Sequence, residues 1–489
     1  MIIKTSPEEI QNFLVDASNL KGFCEAVYFP ETTEDVQKIL READKSKTPV
    51  TVSGNGTGLA GARVPEGGIV ISTEKLNKII EISEDNLYAI VQPGVLLSDF
   101  LNETRKRKLL YPPDPTEKNC FIGGTVATNA SGEKTFKYGS TRNYVHHLEI
   151  VLPNGELLEI NRGRYIAEKN HLFIVTNSRR IIELYLPQIK MPRIKNASGY
   201  FIKENMDAID LFIGSEGTLG VITKIKLKLL PLPEKIISCI IFFNSEEDAL
   251  SFIREARNIS SNTRAENKQN SIDALALEFF DENSLKFLKE DFSRIPSESK
   301  AAVWFEQEAD ETNESQLLDE WIKLISKHNG NEESAWFAFT ENDKQNIQQF
   351  RHSISAKVNE VIAKNNVRKL GTDAAVPDDA FKEFYDYSKN ITAASGIRFV
   401  VYGHFGNSHM HLNMLPESSD EYEKGKDVYR MICRKAIQLN GTVSAEHGIG
   451  KLKREYLLEM YGEKIISEMK AIKKIFDPKF ILGRGNMFV

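Results

Sequence analysis

The first periodic signal lies at 28–45. A short apolar stretch there leads into Val36, Ile39, Leu40 and Ala43, spaced i, i+3, i+4, i+7 along one helix face. Thr32, three residues before Asp35, predicts a capped start. Strands are expected at 49–53 and 69–72. A second strand–helix pair falls at 88–92 and 95–108, broken by Pro93-Gly94. Residues 146–160 read as a hairpin around Pro153-Asn154-Gly155, since Asn-Gly favours a tight turn. A strand at 221–229 runs into Pro231 and Pro233, which close this region.

Beyond 231 the pattern changes. Strands are predicted at 236–243, 274–279, 301–306 and 334–339, with a helix at 316–327 and a polar loop at 260–270. A long helix at 343–364 carries Phe350, Ile354, Val358 and Ile362 at intervals of four, a buried stripe. Strands at 398–402 and 410–414 and a helix at 450–460 follow. Mixed strands and helices of this kind predict an antiparallel sheet backed by helices. Three regions are expected: 1–230, 231–440 and 441–489.

Charge and cysteine content narrow the function. The net charge of −6 leaves no overall basic footprint for nucleic acid. The run Arg105 to Lys108 suits a helix C-terminus instead. The four cysteines lie far apart with no C-x-x-C, so neither a zinc knuckle nor an iron–sulfur run is present. Free thiols, no signal-peptide layout and no span-length apolar run predict a cytoplasmic protein without a transmembrane segment, still able to dock at a membrane.

The first region is rich in loops that suit an anion. Gly54-Asn55-Gly56-Thr57-Gly58-Leu59-Ala60-Gly61 contains G-x-G-x-x-G, yet Pro65, Gly67 and Gly68 follow where a dinucleotide fold needs a helix. A Rossmann domain is therefore excluded. What remains is a run of unobstructed backbone N–H groups, able to cradle an anion. A second segment rich in glycine, small residues and hydroxyls spans 122–132, 138–142 is a third polar loop, and the glycine-containing stretch 210–220 runs into the strand at 221–229. Two glycine-rich loops in one domain suggest a ligand with an extended diphosphate.

These loops, S-G-N-G-T-G-L-A-G, P-P-D-P-T-E-K-N-C-F-I-G-G-T-V-A-T-N-A-S-G, Y-G-S-T-R and G-S-E-G-T-L-G-V-I-T, resemble the FAD-binding domain of the p-cresol methylhydroxylase/vanillyl-alcohol oxidase superfamily. Within it the chain is most similar to the FAD-linked D-2-hydroxyacid dehydrogenases, which include D-lactate dehydrogenase, the glycolate oxidase flavin subunit and D-2-hydroxyglutarate dehydrogenase. The resemblance implies an α+β fold: a two-subdomain FAD-binding domain, an α+β substrate cap, and a C-terminal helical segment returning to the flavin. It implies that FAD is held by Gly54, Asn55, Gly56, Thr57, Gly58 and Leu59, by Pro113 and Asp114, and by Gly123, Gly124, Thr125, Asn129 and Gly132. Ser140, Glu216, Gly217, Gly220, Ile222 and Asn486 complete that set. Many relatives attach FAD through a histidine in the first loop; none lies between 49 and 68, so non-covalent FAD is expected.

The second candidate site is a histidine cluster. His404, His409 and His411 lie within 13 residues, and alternation puts His409, His411 and Asn413 on one strand face. H-x-H imidazoles can converge on a cation, although a solvated strand face is the plainer reading. By resemblance, G-H-x-G-x-x-x-H-x-N and S-A-E-H-G-I-G supply a divalent metal site of His404, His411 and Glu446. Asn413 would then touch substrate and His447 would be the general base. Zinc suits these ligands, as do manganese or iron. Arg351, on the long helix, would grip the substrate carboxylate, where its position alone suggests a snorkelling side chain. His352 and His409 have no assigned role. The 2-hydroxyglutarate enzymes carry a lysine two residues before Asp373; here that place is Gly371, with Lys369 out of register.

The expected reaction is oxidation of a small D-2-hydroxy acid, such as D-lactate, to the 2-oxo acid, with hydride passing to flavin N5. Electrons then pass to an unidentified acceptor, and a homodimer is compatible with this reading. Two alternatives keep the flavin fold. One is a non-redox transferase of the ether-lipid precursor type; the other is a non-catalytic flavin subunit of an electron-transfer complex.

Overall fold

The computed structural model describes residues 1–365 and 367–488. It divides into two compact units. The first comprises Met1–Ser131, Ser140–Leu232 and Ser444–Val489; the second comprises Gly132–Gly139 and Pro233–Val443.

In the first unit, strand Ala26–Phe29 feeds helix Thr33–Ser46, whose Thr32 hydroxyl accepts the Asp35 N–H at 3.2 Å. Its stripe of Val36, Ile39, Leu40 and Ala43 is buried against Val50, Ile71, Leu76, Val151, Val221 and Leu482. The strand belongs to a four-stranded sheet ordered Ile2–Lys4, Ala26–Phe29, Ile69–Ser72, Val50–Ser53. A five-stranded antiparallel sheet runs Ile79–Ser83, Tyr88–Val91, Val221–Lys228, Val145–Val151, Leu157–Asn161. The predicted hairpin is its last pair. After the loop at 54–61 the next regular element is strand Ile69–Ser72, so no helix follows the glycines.

Two features tie the end of the chain to this unit. Strand residue Val50 bonds Ile481 and Gly483 at 2.7 and 2.9 Å. The buried Lys473 ammonium donates to Thr218 O, Leu482 O and Asp477 Oδ2, each at 2.8 Å. Lys473 lies on helix Arg454–Phe476, which starts later than the expected 450 and bends at Gly462 (φ 75°).

The second unit is an eight-stranded antiparallel sheet backed by helices. Its main path runs Asn331–Phe337, Lys235–Phe243, Ala301–Ala309, Ala274–Asp281, Phe399–Gly403, His409–Met414, Leu370–Gly371; Ala374–Ala375 also pairs with His409–Met414. Helix Glu341–Lys364 starts with a capping box between Thr340 and Asp343. Its Phe350, Ile354, Val358 and Ile362 pack with Trp304, Trp336, Phe280 and Tyr402.

The expected loop at 260–270 is corrected. Helix Glu246–Glu266, capped by Ser245, runs through most of it. Its inner face comprises Ala249, Phe252, Ile253, Ala256, Arg257, Ser260 and Thr263. The last three are polar, so the stripe loses its apolar signature while keeping its period. Each finds a polar partner: Ser260 Oγ bonds Ala256 O at 2.7 Å, Thr263 Oγ1 bonds Ser271 Oγ at 3.2 Å, and Arg257 Nη1 reaches across to Ser408 Oγ at 2.7 Å.

Asp281 ends strand Ala274–Asp281 and caps helix Glu282–Leu288. Its Oδ1 accepts N–H bonds from Ser284 (2.8 Å) and Val401 (3.0 Å), while Oδ2 is buried without a hydrogen-bond partner among the described residues. Burial pushes this carboxyl up to about 6. Its contribution to stability is therefore fully present below its ordinary value of 3.8 and is lost as pH rises through about 6. Asp281→Asn keeps the Oδ1 acceptor without the charge. The variant should gain stability relative to the parent as pH rises from 4 to 7, read as melting temperature; a variant less stable at pH 7 contradicts the assignment.

Candidate functional site

The first unit carries the glycine loops. Strand Val50–Ser53 delivers the chain into the segment at 54–61. Among the described residues, the N–H groups of Asn55, Gly56, Thr57, Gly58 and Leu59 meet no protein acceptor. A Cβ added at Gly54 or Gly58 would come no closer than 4.0 or 3.9 Å to another atom, and at Gly124 it would meet nothing within 4 Å. Neither packing nor backbone angle demands glycine at these three places; their open space suits a close-lying ligand. Gly123 differs, because its Cβ would lie 2.4 Å from Pro93.

The other residues expected around the cofactor serve partly as scaffold. Gly123, Gly124 and Thr125 lie on the short helix Ile122–Ala127. Asn129 is left-handed (φ 50°), and its Oδ1 accepts from Ser140 Oγ and Arg142 N–H, both at 3.0 Å. Asp114 pairs with Lys118, next to Pro113. Glu216 accepts the N–H groups of Ile449 (2.6 Å) and Gly450 (2.7 Å), and burial pushes its carboxyl up to about 7. Gly217 is left-handed (φ 70°), Gly220 sits against Ile150, and Ile222 pairs with Ile150 across the sheet. Asn486 accepts from Lys451 Nζ at 2.6 Å and donates to Ala62 O and Glu216 O. Gly132 falls in the second unit, where its N–H donates to Thr135 Oγ1 at 2.9 Å.

Glu446 and His447 also belong to the first unit. The Lys195 ammonium, 3% exposed, holds Glu446 Oε2 at 2.6 Å, and Ser131 Oγ reaches the same oxygen at 3.3 Å. His447 Nε2 lies 3.7 Å from Glu446 Oε1. The loop is braced by Ala197 N–H and Ser198 Oγ, both donating to Ser444 O.

The second unit carries the histidines. His409 and His411 share one face of strand His409–Met414, with ring centroids 4.4 Å apart; His404 lies 5.2 and 5.3 Å from them. All three are buried, as is Asn413, which rules out a solvated strand face. His404 and His411 each have a ring nitrogen hydrogen-bonded to an oxygen, and His409 has one at ion-pair distance from a carboxylate. His404 Nδ1 faces Glu278 Oε1 at 2.6 Å, His411 Nδ1 faces Thr372 O at 3.2 Å, and His409 Nε2 faces Asp373 Oδ1 at 3.0 Å. Such bonds set the tautomer, placing the lone pair of His404 and His411 on Nε2, as metal-ligating histidines require. Gly403 (φ 137°) permits the approach, since a Cβ there would lie 3.1 Å from the His411 ring.

Arg351 is also here, 2% exposed, so it does not snorkel. Its Nε donates to Glu278 Oε2 at 2.7 Å, and its Cζ lies 5.5 Å from the Tyr402 ring centroid. Glu278 thus bridges Arg351 and His404. Burial alone would raise its carboxyl, but the two facing groups hold it down at about 2. Arg351 Nη1 is buried with no acceptor among the described residues. His352, its neighbour, is half-buried.

Two families of known proteins match this chain. An FAD binding domain model covers residues 24–161, and the model for the C-terminal domain of FAD linked oxidases covers 232–487. The chain belongs to the FAD-linked oxidases. It is 32% identical to the glycolate oxidase subunit GlcD of Bacillus subtilis (strain 168), over 95% of this chain and 89% of that protein. It is 31% identical to a D-lactate dehydrogenase of Anaerostipes hadrus, over 93% and 88%. A solved alkyldihydroxyacetonephosphate synthase shares the fold, with a TM-score of 0.66 at 15% identity, over 98% of this chain and 81% of that one.

Glu278, Asp373 and Lys195 were not among the residues singled out as site groups. Glu278 had a visible signal: one glutamate inside Ala-Leu-Ala-Leu-Glu-Phe-Phe, a strand buried throughout. A charge there requires a partner, though its identity is set by the fold.

Two outcomes test this geometry. Glu278→Ala leaves Arg351 as an uncompensated buried charge and should cost about 3–5 kcal/mol of stability; chemical denaturation that shows no loss argues against the bridge. Gly124→Val places a branched side chain in open space. It should weaken FAD binding in a fluorescence titration while the melting temperature of the apo protein holds.

Proposed function

We propose that this FAD-linked oxidase converts a small D-2-hydroxy acid, D-lactate or similar, to its 2-oxo acid. The observation that carries this reading is the unpartnered Nη1 of the buried Arg351. A substrate carboxylate supplies the acceptor it lacks, and Glu278 holds the guanidinium in place for that contact. The two relatives, a glycolate oxidase subunit and a D-lactate dehydrogenase, support the same acid class.

FAD, when bound, supplies the two-electron acceptor, and a divalent cation, when bound, supplies Lewis acidity toward the 2-hydroxyl. His404 and His411 would hold the cation through Nε2, with Glu446 as the third ligand that the family resemblance implies. Zinc suits this donor set, with manganese or iron as alternatives. His447 acts as the general base, taking the 2-hydroxyl proton on a ring nitrogen. Asn413 orients the substrate. Electrons leave to an acceptor outside the chain.

Gly371 supports a short acid. A Cβ there would lie 2.5 Å from Asn413 Oδ1, so a side chain at 371 would displace Asn413. Lys369 Nζ is engaged with Asn359 Oδ1 at 3.2 Å. Neither residue is arranged as a grip for a second carboxylate.

Anaerobic mixing with D-lactate, glycolate, D-2-hydroxyglutarate and larger D-2-hydroxy acids should bleach the flavin fastest with a short acid. Exchange of an acyl for an alkoxy group would favour the transferase; FAD binding that no acid reduces would favour the non-catalytic subunit. His447→Ala should keep FAD and slow flavin reduction by about 10²–10⁴-fold; an unchanged rate removes it as base. Chelation should inactivate reversibly, and full activity with no metal by elemental analysis refutes the metal part.

A further inference from the structure

Arg63 follows the first glycine loop by two residues and turns back against it. Its Nε donates to Val15 O at 2.9 Å, its Nη1 to Gly54 O at 2.8 Å, and its Nη2 to Asn12 O. One guanidinium thus gathers three carbonyls from two segments. Its Cζ also lies 5.7 Å from the Phe13 ring centroid. Gly56 (φ 80°) passes directly over it, where a Cβ would come within 2.7 Å of Cζ and Nη1.

The neighbouring carbonyls are tied down too. Gly56 O accepts from Ala17 N–H at 3.0 Å; Ala60 O accepts from Lys451 and Leu452 N–H at 2.9 and 3.2 Å. Ala62 O accepts from Asn486 Nδ2 at 2.8 Å. The loop is therefore sorted by polarity. The carbonyl oxygens of Gly54, Gly56, Ala60 and Ala62 are held by protein donors, whereas the N–H groups of residues 55–59 meet no protein acceptor among the described residues. A peptide flipped the other way would point a carbonyl dipole at an incoming anion and repel it. Asp16, whose field reaches Arg63, engages Ser18 N–H through Oδ1 at 3.0 Å, and no ion pair joins it to Arg63 among the described residues. The guanidinium charge is thus not cancelled by direct contact.

We propose that Arg63 is the positioning residue of the FAD diphosphate loop. It fixes the Gly54–Asn55 peptide, so that the run of N–H groups 55–59 starts with Asn55 N–H turned to the diphosphate, and it adds a permanent positive charge beside the loop. The proposal rests on the reading that this loop holds the diphosphate. Arg63 is not assigned a contact with the cofactor; it acts through the loop. Lysine cannot replace it, because a single ammonium lacks the planar fork that spans three carbonyls.

The test uses full-length apo protein titrated with FAD and with ADP, which carries a diphosphate but no flavin. Phosphorus NMR of bound ADP reports the loop directly. Arg63→Met and Arg63→Lys should each weaken ADP and FAD by about tenfold or more and shift the bound phosphorus resonances, with the apo melting temperature held by at least one of them. Unchanged ADP affinity and unchanged phosphorus shifts in either folded variant overturn the proposal. Gly58→Val separates the two ideas, since its Cβ has room and its φ is ordinary. If Gly58→Val weakens both ligands while the Arg63 variants do not, only the role of Arg63 fails. If Gly58→Val also leaves both unchanged, the loop is not the diphosphate site and both ideas fail.

Discussion

A carboxylate with no access to water organises the second unit. Glu278 is fully buried, and a lone charge there would cost several kcal/mol. Its two oxygens are divided between Arg351 and His404. That division fixes two things at once. Arg351 is pinned at Nε and keeps Nη1 for another acceptor, and His404 is held in one tautomer. The strand that carries Glu278 is paired on both sides, so the carboxylate sits on a rigid element. Rigid placement matters for any group that must orient a ligand, because misplacement by an ångström costs much of the benefit of orientation.

The first unit solves a different problem with the same economy of polar groups. Its first glycine loop leaves the N–H groups of residues 55–59 without protein acceptors among the described residues while several of its carbonyls are held. Arg63, Ala17, Lys451 and Asn486 supply the donors on the carbonyl side. Lys473 and Glu216 tie the returning C-terminal segment to the loop at 215–218, each through several bonds. The buried charges of this unit therefore hold loops, which cannot be held by apolar packing alone because their backbone polar groups need partners.

Legibility in the sequence followed the strength of local signals. The helix Thr33–Ser46, its cap and its buried stripe were readable because each depends on residues within one or two turns. The hairpin closed by Asn154-Gly155 was readable for the same reason. The stripe Phe350, Ile354, Val358 and Ile362 was equally plain. The helix Glu246–Glu266 was not, because Arg257, Ser260 and Thr263 occupy its inner face and find polar partners that a linear pattern cannot display. The fate of Arg351 was hidden likewise; its partner lies 73 positions away.

By itself the sequence determined most of the element types, the family and the chemistry on offer: glycine loops without a following helix, clustered histidines, and no cysteine set for iron–sulfur or zinc. These depend on local periodicity, composition and motif order. The tertiary structure alone decided which charges are neutralised, which ring nitrogen of His404 and of His411 keeps its lone pair, and which N–H groups of the first loop stay without a protein acceptor. Those outcomes depend on partners brought together by the sheets and on burial, which sets the cost of leaving any of them unpaired.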